Sequence, residues 1–222
     1  MENNTVLIIG ATGAIGGACK TKFEQAGYST YTTSSAQEKC DNNTCFWVDF
    51  NNIASIEALT TTIKFDCVII SAGKEPQFNL EGTSYEHLLA MINIHLLGPI
   101  LLLKQIKNNV KVGGAIILLS SPAALKGSYD PIYASAKGAV NALIKTLAKD
   151  LAPAIRINAI SPSLIADSPV FNRMTPDFRE KHLNNTLTHK HTTAQECAEA
   201  IYFMSTQKQI TGQVLQVNGG MI

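Results

Sequence analysis

The sequence predicts an α/β fold: a parallel sheet covered by helices on both faces. Short runs rich in Val, Ile and Leu alternate along the chain with longer amphipathic stretches. Strands that are apolar throughout are typical of parallel sheets, because both faces of such a sheet are buried. The chain has 222 residues, 45% hydrophobic and 16% charged, which is enough for one globular domain with a sizeable core.

Apolar or β-branched runs, several ending at Gly or Asp, define the strands. The predicted strands are Thr5–Ile9, Tyr28–Thr33, Cys45–Val48, Cys67–Ile70, Ala115–Leu119, Ile155–Ile160 and Val214–Val217. Helical periodicity fills the stretches between them. The predicted helices are Ile15–Ala26, which closes at Gly27, then Ile53–Ile63, a long segment from about Thr83 to Asn108, Ile132–Leu151 and Thr193–Met204.

Two segments depart from this regular alternation. The long helix should bend near Gly98-Pro99, because proline cannot donate a helical hydrogen bond. The stretch Leu164–His191 is polar, lacks clear periodicity and contains Pro169 and Pro176. It is interpreted either as a plain surface connection or as a lid that shapes a substrate pocket, since loops beyond the strand ends of such sheets usually line the site.

Charge and cysteine content exclude several classes of protein. The net charge is +1 with both signs interspersed, so nothing favours nucleic acid or an anionic membrane as a partner. No apolar run reaches the length that spans a membrane. The five cysteines form no C-x-x-C pair and no zinc-ligand spacing, which indicates reduced thiols in a cytoplasmic protein and no metal site.

A glycine-rich turn lies between the first strand and the first helix. It reads Gly10-Ala11-Thr12-Gly13-Ala14-Ile15-Gly16. Glycines there let the backbone approach a pyrophosphate, and the helix N-terminus that follows offers unpaired N–H groups. A tight turn without a ligand is the alternative, but the strand-turn-helix context favours a nucleotide site.

The end of the second strand bears on the choice of cofactor. An acid there would bind the ribose hydroxyl of NAD and repel the phosphate of NADP. Ser34 and its neighbours stand there instead, with no acid before Glu38 and with Lys39 available to a phosphate. This favours NADP over NAD. Asp49 follows the third strand, where it either accepts a hydrogen bond from the adenine amino group or caps a helix.

Tyr133 and Lys137 are the candidate catalytic pair. They are four residues apart in a predicted helix, which places both on one face. A phenol has a pKa of about 10, and a nearby ammonium should lower it enough for proton exchange near neutrality. Ser120 and Ser121, at the end of an apolar strand just upstream, offer a hydroxyl for a substrate oxygen.

These motifs, in this order, resemble the short-chain dehydrogenase/reductase family over nearly the whole chain. The resemblance implies a Rossmann-like, doubly wound sheet of seven parallel strands in the order 3-2-1-4-5-6-7. The glycine loop has GxxGxxG spacing, with Ala14 in place of the family's middle glycine. Ser71-Ala72-Gly73 occupies the position of the family's Asn-Ala-Gly motif at a strand end. The replacement of asparagine by Ser71 is expected to loosen a contact that braces the central strand. Arg156–Ser163 and Ile210–Gln213 resemble two downstream signatures.

The family's catalytic tetrad maps onto four residues of this chain. They are Asn93, Ser121, Tyr133 and Lys137. Ser120 stays open as the serine, because the Ser-to-Tyr spacing is one residue shorter than usual. By resemblance Tyr133 is the general acid/base, Lys137 also binds the nicotinamide ribose, Ser121 holds the substrate oxygen, and the Asn93 carbonyl holds a water that links Lys137 to solvent.

The resemblance also implies the cofactor contacts, the activity and the assembly. The expected cofactor-binding residues are Gly10, Thr12, Gly13, Ala14, Ile15, Gly16, Ser34, Asp49, Phe50, Ser71, Ala72, Gly73, Tyr133, Lys137, Pro162, Ser163, Ile165 and Ser168. The expected activity is hydride transfer between NAD(P) and a carbonyl or alcohol. The alternative is a regulator that binds NADP without turnover; a sugar epimerase is disfavoured by length. A homodimer or homotetramer is expected, with the helices from Thr83 and Ile132 packing against partners.

Overall fold

Seven parallel strands form a single sheet in the computed structural model, which describes residues 3–221. The strands are β1 (Thr5–Ile9), β2 (Ser29–Ser34), β3 (Cys45–Trp47), β4 (Phe65–Ile70), β5 (Val110–Leu119), β6 (Arg156–Pro162) and β7 (Val214–Val217). Their order is β3-β2-β1-β4-β5-β6-β7, so the predicted fold class and strand order are confirmed. The order reverses between β1 and β4, where ligands of such sheets bind at the carboxyl ends of the strands.

Helices cover both faces of this sheet. They are α1 (Ala14–Gln25), α2 (Ile53–Glu57), α3 (Tyr85–Ile92), α4 (Gly98–Ile106), α5 (Ala123–Lys126), α6 (Pro131–Leu151), α7 (Pro169–Arg173), α8 (Pro176–Asn184) and α9 (Ala194–Thr206). Alternate residues of β1 enter two separate cores. Leu7 packs in the core that also buries side chains of α4 and α6, and Ile8 packs in the core under α1 and α9. This alternation is the two-sided burial that the sequence predicts.

The structure differs from the predicted elements in several places: β5 begins at Val110, five residues earlier than expected, and the short helix α5 was not predicted. The helix expected over 53–63 ends at Glu57, and three consecutive threonines, Thr60–Thr62, follow it; β-branched side chains are poor helix formers. The segment expected to be irregular contains α7 and α8. Each begins with a proline after a capping hydroxyl, Ser168 for α7 and Thr175 for α8, which is a helix-start pattern.

The long helix is interrupted by one π-helical turn, Asn93–Leu97, between α3 and α4. Gly98 donates its backbone N–H to the Asn93 carbonyl, five residues back. Pro99 has no N–H to continue the ordinary pattern, which is the cause that the sequence identifies for an irregularity here. A side chain at position 98 would clash, because its Cβ would lie 2.5 Å from the ring of Phe50.

By length and composition alone, the helical stretch Tyr85–Asn109 could cross a membrane, with a mean hydropathy of 1.6. Core helices also meet this criterion of length and composition, and Glu86, Asn93 and Lys104 interrupt the apolar sequence of the stretch. In the fold only part of this stretch is buried against the core, and Leu89 and Leu97 are each 44% exposed. Met91, Leu102 and Ile106 are each at most 1% exposed.

Candidate active site

The glycine loop and the start of α1 form one wall of an open cleft of about 430 Å³. Small residues of the loop line it on one side, and Asp167, Pro169 and Ala194 line it on the other. Two glycines of the loop are structurally required. Gly10 has a φ of +84°, and a Cβ on Gly16 would lie 2.1 Å from the Gly10 carbonyl oxygen. The loop therefore brings bare backbone to the cleft.

The residues of this cleft fit the pyrophosphate of a dinucleotide. Gly13 is the N-cap of α1 and provides no side-chain hydrogen bond, and the first turn of α1 contains no acidic residue. The N–H groups at the start of α1 are therefore not capped by a side chain of that turn, and the helix dipole favours an anion there. Thr12, Gly13 and Ala14 lie on the cleft wall, whereas Ile15 packs against the core under α1; their role in cofactor binding stays a prediction.

Ser71-Ala72-Gly73 runs directly under the glycine loop at the end of β4. The Ser71 hydroxyl donates to the Ile9 carbonyl at 2.7 Å and lies 3.3 Å from the Gly10 carbonyl oxygen. A Cβ on Gly10 would meet the Ala72 nitrogen at 2.6 Å. The Ser71 hydroxyl thus ties β4 to the end of β1, and a looser brace than an asparagine would give stays a prediction.

The residues predicted for the adenosine end have other local partners. The Ser34 hydroxyl accepts from the Ala36 N–H at 3.1 Å, and the Asp49 carboxylate accepts from the Asn51 N–H at 2.9 Å. Asp49 thus orders the turn before α2, whose N-cap is Asn52. Phe50 is 6% exposed, and its ring packs on Gly98. Its side chain therefore belongs to the core.

The residues predicted for the nicotinamide end follow β6. Pro162 ends that strand, and the Ser163 hydroxyl lies 2.7 Å from the Thr192 hydroxyl. Ile165 is buried and forms an isolated bridge with Thr192. The Ser168 hydroxyl donates to the Ile165 carbonyl at 2.8 Å and caps α7 by accepting the Phe171 N–H. These bonds fix the start of the segment that the sequence interprets as a lid.

Tyr133 and Lys137 meet at the carboxyl end of β5, on one face of α6. The Lys137 nitrogen donates to the Leu119 carbonyl at 2.8 Å and lies 5.7 Å from the centre of the Tyr133 ring. Ser121, just beyond the same strand end, is 9% exposed. Ser120 is 3% exposed, and its hydroxyl donates to Asn141 Oδ1 at 2.5 Å. The geometry thus brings Ser121 toward Tyr133 and commits Ser120 elsewhere.

Burial governs the proton affinities of this pair. Burial lowers the pKa of Lys137 to about 7. Burial also raises the pKa of Tyr133, although hydrogen bonding with Ser121 works against that rise. The sequence expectation of a lowered phenol pKa is therefore not met. The physical reason is that the Lys137 ammonium turns to the Leu119 carbonyl, while the phenol loses its hydration.

Asp130 is the N-cap of α6 and holds the start of that helix. It is fully buried, and its Oδ1 accepts the backbone N–H groups of Ile132 and Tyr133 at 3.1 and 3.0 Å. Its Oδ2 accepts from the Gln77 N–H and lies 3.1 Å from His87 Nε2. One carboxylate thus ties the helix that carries Tyr133 to α3 and to the chain after β4.

A small cavity of about 10 Å³ lies beside Lys137. Its lining residues are Ile70, Ala72, Ile94, His95, Pro99, Leu118, Leu119, Lys137 and Val140. Asn93 is half-buried and is not part of this lining, and its carbonyl accepts the Gly98 N–H. The catalytic role of Asn93 stays a prediction. His95, which sequence reasoning passed over, is the polar residue of the π turn that faces the site; the available signal was an imidazole in an apolar run.

Comparison with known proteins identifies the family. The family model described as "Enoyl-(Acyl carrier protein) reductase" matches residues 10–222. The chain is a short-chain dehydrogenase/reductase. It is 29% identical to the uncharacterized oxidoreductase YmfI of Bacillus subtilis, over 98% of both chains. It is 30% identical to the human 3-oxoacyl-[acyl-carrier-protein] reductase, over 69% of this chain and 65% of that protein.

A solved structure supports the same conclusion. A small-chain dehydrogenase in complex with NADPH superposes with a TM-score of 0.85 at 26% identity, covering 99% of this chain and 98% of that one. The short-chain dehydrogenase/reductase described here is therefore an oxidoreductase of a family that binds nicotinamide cofactors, and its kinship favours catalysis over the non-catalytic regulator. Among residues 3–221, no three His, Cys, Asp or Glu side chains converge as a metal site.

Proposed function

We propose that this protein is an NADPH-dependent carbonyl reductase in which Tyr133 donates the proton. The observation that carries the proposal is the meeting of Tyr133, Lys137 and Ser121 at the carboxyl end of β5. A phenol whose pKa is raised stays protonated at neutral pH, so it is ready to give its proton to an alkoxide as that charge develops.

The chain's own residues divide the remaining work. When bound, the nicotinamide supplies the hydride. Ser121 donates a hydrogen bond to the substrate oxygen, where negative charge grows. Lys137, with a pKa of about 7, exchanges protons at neutral pH and replaces the proton that Tyr133 gives up; by kinship it also holds the ribose hydroxyls. Ser121 is proposed over Ser120 because Ser120 is bound to Asn141.

The proposal extends to the cofactor, the lid and the assembly. NADPH is favoured over NADH because no acid precedes Glu38 after β2. The segment 164–191 acts as a lid, and the bond between Arg173 and Glu75 at 2.6 Å ties it to the chain after β4. A dimer or tetramer would cover exposed apolar residues of the long helical region, such as Leu89 and Leu97, each 44% exposed. The five free thiols fit a cytoplasmic protein.

The test is a turnover assay with NADPH and, separately, NADH against ketones, quinones and 3-oxoacyl thioesters. The proposal expects turnover of at least one carbonyl class, with kcat/KM for NADPH above that for NADH by at least about tenfold. Tight cofactor binding without turnover across the panel would favour the regulator instead. A preference for NADH would overturn the cofactor assignment while leaving the reductase assignment in place, and a monomer in sedimentation would contradict the proposed assembly.

A further inference from the structure

His95 is a buried imidazole in direct contact with the proposed proton donor. It is 3% exposed, and its ring packs edge-on against Tyr133, with the ring centres 5.3 Å apart. It lines the small cavity together with Lys137. Burial, followed by the nearby Lys137 charge, lowers the pKa of His95 to about 3, so the imidazole is neutral at any working pH. Its polar atoms therefore act through hydrogen bonds and not through charge.

The two ring nitrogens of His95 have different surroundings. Nε2 lies 3.0 Å from the Lys74 carbonyl oxygen and 3.3 Å from the Lys74 backbone nitrogen. Nδ1 is fully buried and has no hydrogen-bond partner within residues 3–221. The shorter Nε2 contact favours the tautomer that donates from Nε2 to the carbonyl, and this leaves Nδ1 as a bare acceptor. A buried acceptor without a partner costs free energy and calls for a water or another donor.

The cavity supplies the room for such a donor. Its volume of about 10 Å³ is close to the smallest that holds one water. Lys137 has three N–H donors and uses one of them on Leu119. A water in the cavity would accept from a second Lys137 N–H and donate to His95 Nδ1, so both buried groups would be satisfied.

We propose that His95 is a positioning residue that acts on Lys137 through one water held between them. In this proposal the imidazole of His95 holds the water that the family resemblance assigned to the Asn93 carbonyl. The effect of His95 on turnover rests on the proposed function. The hydrogen bonds of His95 and the bound water do not depend on it. No bond is made or broken by His95; it orients a water that accepts from the Lys137 ammonium, and so it favours the charged form of Lys137.

The surroundings of Lys137 allow the sign of the effect to be worked out. The strands and Pro99 present only apolar side chains and the Leu119 carbonyl to it. The titratable groups at the site are Tyr133, His95, Asp130 and, further out, Glu75. Losing the His95 acceptor makes the Lys137 ammonium less favourable. Its pKa then falls, and the activity that needs the ammonium is lost at a lower pH on the alkaline side of the profile.

Two substitutions separate the roles of the two nitrogens. His95→Asn keeps a polar atom near the position of Nδ1 and loses the one at Nε2, whereas His95→Gln does the reverse. The kcat/KM profile of each should be measured from pH 5 to 10, with melting temperature and cofactor affinity as checks on folding. We expect the alkaline limb of His95→Asn to stay within about 0.3 pH units of the wild type. In His95→Gln the limb should move down by about one pH unit, so that kcat/KM falls about tenfold at a pH above the apparent pKa values of both the wild type and the variant.

The proposal would be overturned if His95→Asn shifted the alkaline limb of the kcat/KM profile more than His95→Gln did, because His95 would then serve to anchor Lys74. It would also be overturned if both variants kept the alkaline limb of the wild type. A second measurement does not need turnover. NMR of protein with ¹⁵N-labelled histidine should show His95 neutral, with the proton on Nε2, from pH 5 to 9. A proton on Nδ1 would overturn the water-acceptor role, even if the wild-type protein reduces carbonyls. Absence of turnover with the expected tautomer would instead point to failure of the proposed function.

Discussion

The open cleft at the glycine loop and the small cavity at Lys137 lie along the same edge of the sheet and are built in opposite ways. The cleft has about 430 Å³, small side chains and bare backbone N–H groups. The cavity has about 10 Å³, apolar walls and two polar side chains, His95 and Lys137. The cofactor binding proposed for the cleft thus depends on backbone geometry, which changes little with pH. Proton chemistry depends on buried groups, whose pKa values are set by packing.

The largest effect should follow from adding one methyl group at Gly16, which is buried behind the glycine loop. In Gly16→Ala the new Cβ would lie 2.1 Å from the Gly10 carbonyl oxygen and 2.7 Å from the Ser71 hydroxyl. Backbone atoms would have to move, so the loop would lose its shape. We expect the Kd for NADPH, measured by fluorescence titration, to rise about 100-fold or more, equal to about 2.7 kcal/mol.

Gly17→Ala is the matched control for this change. Its Cβ would lie no closer than 3.5 Å to the nearest atom, the Ala11 carbonyl oxygen. Alanine is the better helix former by about 1 kcal/mol, so this variant should fold at least as stably as the wild type. Equal NADPH affinity in Gly16→Ala and the wild type would show that the backbone shape of the glycine loop does not determine cofactor affinity. The contrast between the cleft and the cavity would then be wrong.

The second effect concerns the carboxylate that holds α6. Burial raises the pKa of Asp130, but hydrogen bonds from Gln77, Tyr133 and His87 outweigh it and bring the pKa below its usual range. A depressed acid contributes stability above its unfolded pKa of about 4, and this is lost as pH falls through the folded value. Asp130→Ala should lower the free energy of unfolding by about 2–4 kcal/mol at pH 7, measured in urea at fixed protein concentration.

Asp130→Asn provides the control, because its amide oxygen can still cap α6. It should lose about half as much stability and should flatten the decline below pH 5. If Asp130→Ala unfolds at the same urea concentration as the wild type, the carboxylate does not stabilise α6 in the way the hydrogen bonds indicate.

The smallest effect should be a gain in stability on substituting Lys137. The pKa of Lys137 is about 7 in the fold, and that of an unfolded lysine is about 10.4. Between these values the unfolded chain binds more protons, so this residue makes stability rise with pH. Lys137→Met should therefore remove that rise. It should also stabilise the protein by on the order of 1 kcal/mol at pH 6, while turnover is lost.

Lys145→Met on the same helix is the matched control, because Lys145 is exposed. It should leave both the stability at pH 6 and its pH dependence unchanged. A stability profile in Lys137→Met that still rises between pH 7 and 10, as in the wild type, would show that Lys137 is not a strongly perturbed group.

The alternation of strands and helices and the position of the glycine loop could be predicted from the sequence because both depend on local patterns, whereas the strand order followed from the family resemblance. Strand β1 has the bounds predicted from its apolar run, and Gly10 and Gly16 are required by contacts that the motif implies. Helices α7 and α8 were missed because they are short and polar. Their starts were nevertheless encoded by Ser168-Pro169 and Thr175-Pro176.

The surroundings of Tyr133 were harder to predict from the sequence. Ser120 and Ser121 could not be separated by spacing, since only tertiary packing shows that Ser120 bonds to Asn141. The π turn widens the helix, so the face that His95 takes does not follow from a period of 3.6 residues. The direction of the Tyr133 pKa shift depends on burial, which no sequence spacing reveals.

Tyr133 is proposed to perform the proton transfer, whereas the glycine loop is proposed to supply most of the affinity for the cofactor. The most direct test compares wild type and Tyr133→Phe for two quantities: kcat with a carbonyl substrate from the panel, and Kd for NADPH. The account predicts a loss in kcat of about 1000-fold with Kd changed less than about threefold. Full activity in Tyr133→Phe, or a loss explained entirely by weaker NADPH binding, would contradict it.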